Sequence, residues 1–372
     1  MKSAPPLALL LAACGSGPGD TGPPAFPGDF VPPEGFWTWE GPDRLLATEV
    51  DPTWQAGVYG VADPAAGGWI AEGDPVHTDA VAGCAGAWLL VINRKGADNL
   101  QFVDPETGLT VAQWSTGEGS NPQAAVFHGG EAWIPLYEEP SLLVAAWDTG
   151  EEVARVDLSS WADADGIPEA SQAFAWGGLL WVTLERMDRE AAWTPAGESL
   201  LLGVDPGSRE VVAEIPLGLG DANGGWTLDG GIASSAASGA LWEEDGETLA
   251  LDGGIVRVDL AARATAGVPL AEADLGRDLR AALVEGDRAW VSTYDADLVN
   301  HVEIWDLAAR VRVTTVFDDF VAGWHRAAGG DVWIADHEAA RVRRLGWDDG
   351  AGLATLATAA RPVSVRTCEA GR

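Results

Sequence analysis

A unit of about forty to sixty residues recurs seven times along this 372-residue chain, each copy built from strand-like runs that end in an aspartate. The aspartates are Asp63, Asp104, Asp148, Asp205, Asp259, Asp306 and Asp348, and subtraction gives spacings of 41, 44, 57, 54, 47 and 42 residues. The clearest copy reads Asn99-Leu-Gln-Phe-Val-Asp104, then Pro105-Glu-Thr-Gly108, then Leu109-Thr-Val-Ala-Gln-Trp114. That is an alternating strand, a turn and a second strand. Proline presets the bend, and glycine closes it by accepting a positive φ without a Cβ penalty. A second hairpin accompanies the first in each unit, as in Pro122-Gln-Ala-Ala-Val-Phe127, His128-Gly-Gly-Glu131 and Ala132-Trp-Ile-Pro-Leu136. A unit therefore holds four short strands.

A strand opening on tryptophan returns at Trp88, Trp133, Trp181, Trp290 and Trp333, with Trp242 as the weakest copy. Arg44-Leu-Leu-Ala-Thr-Glu-Val50 supplies a seventh copy that lacks its own first strand, whereas Arg361-Pro-Val-Ser-Val365 matches a first strand that nothing follows. The C-terminal strand is thus expected to complete the N-terminal unit. One small sheet cannot bury both faces alone, so four-stranded units of this period read as blades packed on their neighbours. The expected fold is all-β: a seven-bladed β-propeller of four-stranded blades over residues 44–372, closed by the C-terminal strand. No window sustains an apolar 3.6-residue period between caps, which argues against an all-α fold. A β-sandwich explains alternating strands but not seven like units. The register is weakest over 218–254, where glycine and serine interrupt the pattern.

Trp181-Val-Thr, Trp290-Val-Ser-Thr, Phe102-Val-Asp104, Ile304-Trp-Asp306 and Val332-Trp-Ile-Ala-Asp336 resemble the repeats of YVTN and NHL-like propellers. The resemblance covers roughly residues 44–366, each copy being weak on its own. Of the 19 tryptophans, those at the repeat position are expected to fill wedges between blades, where a large ring buries much apolar area. Trp37, Trp39 and Trp54 lie outside the pattern, as exposed rings or as packing for the tether.

The chain opens Met1-Lys-Ser-Ala-Pro-Pro, then runs Leu7-Ala-Leu-Leu-Leu-Ala-Ala13 before Cys14, which reads as a secretory signal peptide over 1–13. Leu11-Ala-Ala-Cys14 resembles a bacterial lipobox, which implies acylation of the Cys14 thiol and cleavage before it. An ordinary signal peptide with a chance cysteine is the alternative. Residues 14–43 are rich in proline and glycine and read as a stiff tether at ~3 Å per residue. No other segment approaches the ~18 apolar residues that span a bilayer, so a lipid anchor at the membrane is expected. Gly15, where some Gram-negative families use aspartate for inner-membrane retention, implies the outer membrane, periplasmic or surface-facing.

Cys84 and Cys368 remain as an even pair in an exported protein, which fits a disulfide that latches the ring; two buried free thiols are the alternative. The formal charge of −35 excludes nucleic acid as a natural partner, because phosphate backbones require a basic surface. Acidity alone fits solubility or cation binding. Asp163-Ala-Asp165-Gly166 and Asp295-Ala-Asp297 place carboxylates where calcium could use them, although Trp161 stands where an EF-hand would begin.

A G-x-S-x-G elbow, a P-loop, a dinucleotide fingerprint and a C-x-x-C-H haem motif are all missing, and His337-Glu-Ala-Ala-Arg341 lacks the second histidine of a zinc-protease motif. No cofactor or metal ligand set is expected, calcium apart. The repeat register places Asp79, Gln123, Gln172, Arg280 and Arg326 on the central funnel, with His77 and His325 near the starts of innermost strands. Arg280 and Arg326, in so acidic a chain, hint at a bound anionic group. The favoured function is non-catalytic binding or scaffolding for an envelope protein partner or a small ligand. The alternative is an enzyme, since similar-looking propellers include lyases, lactonases and quinone-dependent dehydrogenases; Asp79 with His77 or His325 is the cluster available to it. A scaffold using the side of the ring would show a large apolar patch.

Overall fold

The computed structural model describes residues 41–369 except Ala192 and Glu244. The expected signal peptide, Cys14 and nearly all of the tether lie outside the described residues. Seven four-stranded antiparallel sheets form the blades of a propeller. Blade 1 runs from outside inward as Gly68–Val76, Gly57–Asp63, Arg44–Val50 and Arg361–Cys368, so the C-terminal strand is the innermost strand of the N-terminal blade. Its register pairs Arg44 with Cys368 and Val50 with Arg361. In blades 2 to 7 the first strand in sequence is innermost: Ala80–Ala85, Val126–His128, Ala170–Trp176, Thr227–Asp229, Asp278–Glu285 and Val321–Arg326.

The core is distributed rather than central. Seven apolar clusters each span two neighbouring blades: one joins Trp181, Leu201 and Ile215 of blade 4 to Ala233, Val256 and Val258 of blade 5. Trp133, Trp181, Trp290 and Trp333 sit on second strands and face the following blade, each at most 2% exposed. Trp242 departs from this expectation, and Trp88 packs between blades 2 and 3 from a shifted position. Trp88 opens its strand two residues early, leaving Leu90 at the packed position. Trp242 lies beyond the blade 5 second strand, Ile232–Ala237, in the following loop.

Asp63, Asp104, Asp205, Asp259 and Asp306 close the outer hairpins. The Asp63 carboxylate accepts the N–H groups of Ala65 and Ala66 at 2.8 and 2.9 Å, and Asp205 accepts those of Gly207 and Ser208 at 2.9 and 2.7 Å. A short acceptor that bonds its own turn explains why the repeat ends in aspartate. Asp148 and Asp348 lie two residues past the equivalent positions, Ala146 and Gly346, whose carbonyls close the same turn to Gly150 and Gly350. Gly150 is needed twice over, with φ at 73° and a Cβ that would stand 2.4 Å from Trp114.

The ring closes through three adjacent innermost strands. A Cβ at Gly323 of blade 7 would lie 2.9 Å from the Val363 carbonyl of blade 1, and Ala82 of blade 2 donates its N–H to Ser364 Oγ at 3.1 Å. Cys84, near the end of the blade 2 inner strand, is bonded to Cys368, with Cα atoms 5.8 Å apart. Trp54 packs across the same seam, stacked 5.3 Å from the blade 7 His337. No helix among the described residues is long and apolar enough to cross a membrane.

Candidate functional site

Innermost strands all begin on one face, where they meet the loops joining second to third strands. Two of those loops are long. In blade 4 the segment after Leu184 carries a small hairpin, Met187–Asp188 with Thr194–Pro195; in blade 5 residues 238–253 form a loop held by a single bridge, Trp242 to Leu249. These insertions account for the two largest repeat spacings. Between them lies a cleft of about 880 Å3 lined by Thr194, Trp242, Glu243, Asp245 and Asp252, among others.

Beside the cleft, blades 3 to 6 bring together buried carboxylates. Glu185 directly follows the apolar strand Leu179–Leu184, so chain direction carries it into the boundary between blades. Its Oε2 accepts the Tyr137 hydroxyl at 2.7 Å, and its backbone N–H bonds the Glu169 carbonyl at 3.1 Å. Burial, reinforced by the negative Asp221, raises Glu185 to about 8. Burial raises Asp221 to about 6, against the opposing pull of Arg280 and the Asn223 amide, which donates at 3.0 Å. Burial thus favours the protonated form of both carboxyls, and the charge of Asp221 adds to this at Glu185. Tyr137 is itself held far above the usual phenol range, by burial and then by Glu185.

Glu169 is raised to about 7 by burial, although it accepts the Met187 N–H and Arg189 Nε, each at 2.9 Å. Arg189 also pairs with Glu138, donates to the Tyr137 carbonyl at 3.1 Å and lies 4.9 Å over the Trp193 ring. Asp278, at the start of the blade 6 inner strand, is 2% exposed, and its Oδ1 has no hydrogen-bond partner among the described residues. Burial raises it to about 6, with Arg280 opposing and Asp221 adding to the shift. Buried Glu272 instead anchors backbone, accepting Gly253 N–H at 2.8 Å and Leu279 N–H at 2.6 Å. The cluster can hold and release protons near neutral pH and offers negative charge with incomplete compensation.

The sequence candidates divide. Asp79 and Gln123 come together through Arg94, which pairs with Asp79 and donates to Gln123 Oε1 at 2.9 Å. His77 accepts the Asp79 N–H at Nδ1, 3.1 Å away. Gln172 is half-buried on the inner strand of blade 4. Arg280 is exposed and faces Asp221 and Asp278. Arg326 does not join it. The blade 7 inner strand begins at Val321, so His325 and Arg326 emerge at the opposite end, where Arg326 pairs with Glu285 at 2.6 Å and lies 4.5 Å over Trp347. The Asp163 and Asp295 carboxylates each cap their own turn, accepting the N–H of Asp165 and of Asp297 at 3.0 Å. Asp295 also contacts His301 at 2.9 Å. Among the described residues no three or more histidine, cysteine or acidic side chains group in a metal-holding arrangement.

Tyr137, Glu169, Glu185, Arg189, Asp221 and Asp278 escaped the sequence reading. The signal for several of them was present in the spacings of 57 and 54 residues, which mark insertions beside Glu185 and Asp221.

No protein-family model matches the sequence, and no curated protein matches it. Among solved structures, a putative 6-phosphogluconolactonase from Bacteroides fragilis is similar at a TM-score of 0.55 and 10% identity, over 87% of this chain and 98% of that one. Hydrazine synthase from Kuenenia stuttgartiensis gives 0.54 at 14% identity, over 77% and 90% of the two chains. The dihydro-heme d1 dehydrogenase NirN in complex with DHE gives 0.53 at 12% identity, over 87% and 74%. At such identities the likeness is one of fold: this chain is a seven-bladed β-propeller.

Proposed function

We propose that the protein is a lipid-anchored propeller of the bacterial cell envelope, related to YVTN and NHL-like repeat proteins, that binds a small ligand or partner without transforming it. The membrane attachment rests on the lipobox-like Leu11-Ala-Ala-Cys14 and the proline-rich tether, with the outer membrane favoured by Gly15. The Cys84–Cys368 bond suits an oxidising compartment. One observation carries the binding chemistry: Glu185, Asp221 and Asp278 are buried together beside Arg280, and Asp278 Oδ1 lacks a partner. A cationic group, such as an ammonium or guanidinium, would relieve that imbalance.

The test is a thermal-shift series on the purified protein with organic amines, guanidinium compounds, basic peptides and calcium. A ligand selective for the native state raises the melting temperature by mass action. The expected result is a rise of several degrees with one cationic class, lost in Glu185→Gln/Asp221→Asn; no rise with any cation refutes the loop-face site.

The second reading is a propeller enzyme of lyase, lactonase or dehydrogenase type. It is favoured by the buried carboxyls of Glu185 and Asp221, both pushed above the usual carboxylate range by burial, since a carboxyl with a raised pKa suits general acid–base work. Mass spectrometry of the recovered ligand separates the two readings: unchanged ligand supports binding, and a product supports catalysis.

A further inference from the structure

The central channel holds a second charged locus, far from the loop-face carboxylates. Arg366 lies on the innermost strand of blade 1, between buried Val365 and Thr367, and is itself exposed. Its exposure on an innermost strand sets it at the inner edge of blade 1, beside the axis of the ring. Its Nη1 donates to Nδ1 of His325 on the neighbouring inner strand of blade 7, at 3.2 Å. The missing side chain at Gly323 lets those two strands approach closely.

This guanidinium differs from most others in the chain. Most arginines of this acidic chain sit on a carboxylate, as Arg94, Arg189, Arg312 and Arg341 do. Arg366 has no ion pair among the described residues, and its Nε and Nη2 have no hydrogen-bond partner there. Glu369 is the acidic group that faces it, but that carboxylate is engaged by the Ala328 N–H at 2.9 Å and the Thr367 hydroxyl at 3.0 Å. Desolvation holds His325 well below the usual imidazole range, and the neighbouring charges of Arg366 and Arg326 lower it further. His325 is therefore neutral near pH 7. Because its Nδ1 accepts from Arg366, its Nε2 carries the proton and is a donor.

We propose that Arg366 and His325 form a receptor for a small oxyanion inside the channel, a carboxylate or a phosphate. The free Nε/Nη2 edge of Arg366 offers the planar fork that takes two oxygens, and the Nε2–H of His325 adds a neutral donor beside it. An anion there would meet a positive charge that Glu369 faces but that no ion pair among the described residues neutralises. This site is independent of the loop-face reading and takes the opposite charge. It also relocates the anionic group that Arg280 and Arg326 suggested, since both of those arginines face carboxylates of their own.

The test titrates the full chain, labelled with 15N-histidine, with inorganic phosphate and separately with acetate, alongside calorimetry. The expected result is a saturable shift of the His325 ring nitrogens with at least one anion. In Arg366→Gln the affinity should fall about tenfold or more. Arg366→Lys, which keeps the charge and loses the fork, should weaken acetate binding more than phosphate binding. Because Arg366 is exposed, neither variant removes core packing, and an unchanged melting temperature checks this. The proposal is overturned if neither anion shifts His325 saturably, or if Arg366→Gln binds as tightly as the parent.

Discussion

The hydroxyl of Tyr137, from blade 3, donates to Oε2 of Glu185, from blade 4, at 2.7 Å. This bond ties two blades together at the loop face and satisfies a carboxylate that burial has made weakly acidic. Tyr137→Phe keeps the ring and removes the donor. Leaving a buried acceptor without its partner costs about 1–3 kcal/mol, measurable by urea denaturation. The Tyr137 bond lowers the Glu185 pKa, so its loss should move that group above about 8, visible by carboxyl NMR. An unchanged value would show that the hydroxyl does not hold the carboxylate in solution.

Stability should decline from mildly acidic to mildly basic pH. Glu169, Glu185, Asp221, Glu272 and Asp278 are all raised in the folded state, to about 7, 8, 6, 8 and 6. Their stabilising contribution is complete below the unfolded values of about 4 and is lost as pH rises through the folded ones. Each group can contribute a slope of up to about 1.4 kcal/mol per pH unit between those limits. The melting temperature should therefore fall between pH 5 and pH 8, and Glu185→Gln should flatten the upper part of that decline. A melting temperature that rises over this range would contradict the buried cluster.

The Cys84–Cys368 bond spans 284 residues. On the chain-entropy account such a loop contributes roughly 5 kcal/mol. Reduction, or Cys368→Ser, should lower the melting temperature by several degrees while leaving the β-sheet circular dichroism intact, because strand 361–368 still pairs with 44–50. Collapse of the spectrum on reduction would mean that the bond, rather than the strand pairing, closes the ring.

Tryptophans of similar size should differ sharply in cost. Trp333, 2% exposed in the wedge between blades 7 and 1, should lose about 3–5 kcal/mol on substitution by alanine. Trp242 lies in a loop at the cleft, so its removal should cost less than about 1 kcal/mol. Paired denaturation curves read both, and equal losses would overturn the distinction between wedge and loop.

The repeat made the ring readable because a blade is a local pattern: four strands, an aspartate that caps its own turn and a tryptophan facing the next blade all lie within about fifty residues. Even closure was legible, since a first strand was missing at one end and supernumerary at the other. The failures were failures of register. Asp148, Asp348, Trp88 and Trp242 match the pattern by residue type and sit at other positions, because a hairpin turn tolerates a two-residue offset and a loop can carry a tryptophan anywhere. The same uncertainty grouped Arg326 with Arg280, whereas strand direction carries Arg326 to the opposite end of the ring.

Sequence alone determined the number of blades, their strand count, the closing strand and the strongly acidic charge, because periodicity and composition are properties of the chain itself. Tertiary structure decided which polar groups meet. Tyr137, Glu185, Asp221 and Asp278 come from four different blades, and their protonation depends on burial and on one another's charge, which no spacing in the chain encodes. Arg366 and His325 lie 41 residues apart and touch only because ring closure seats the last strand beside the inner strand of blade 7.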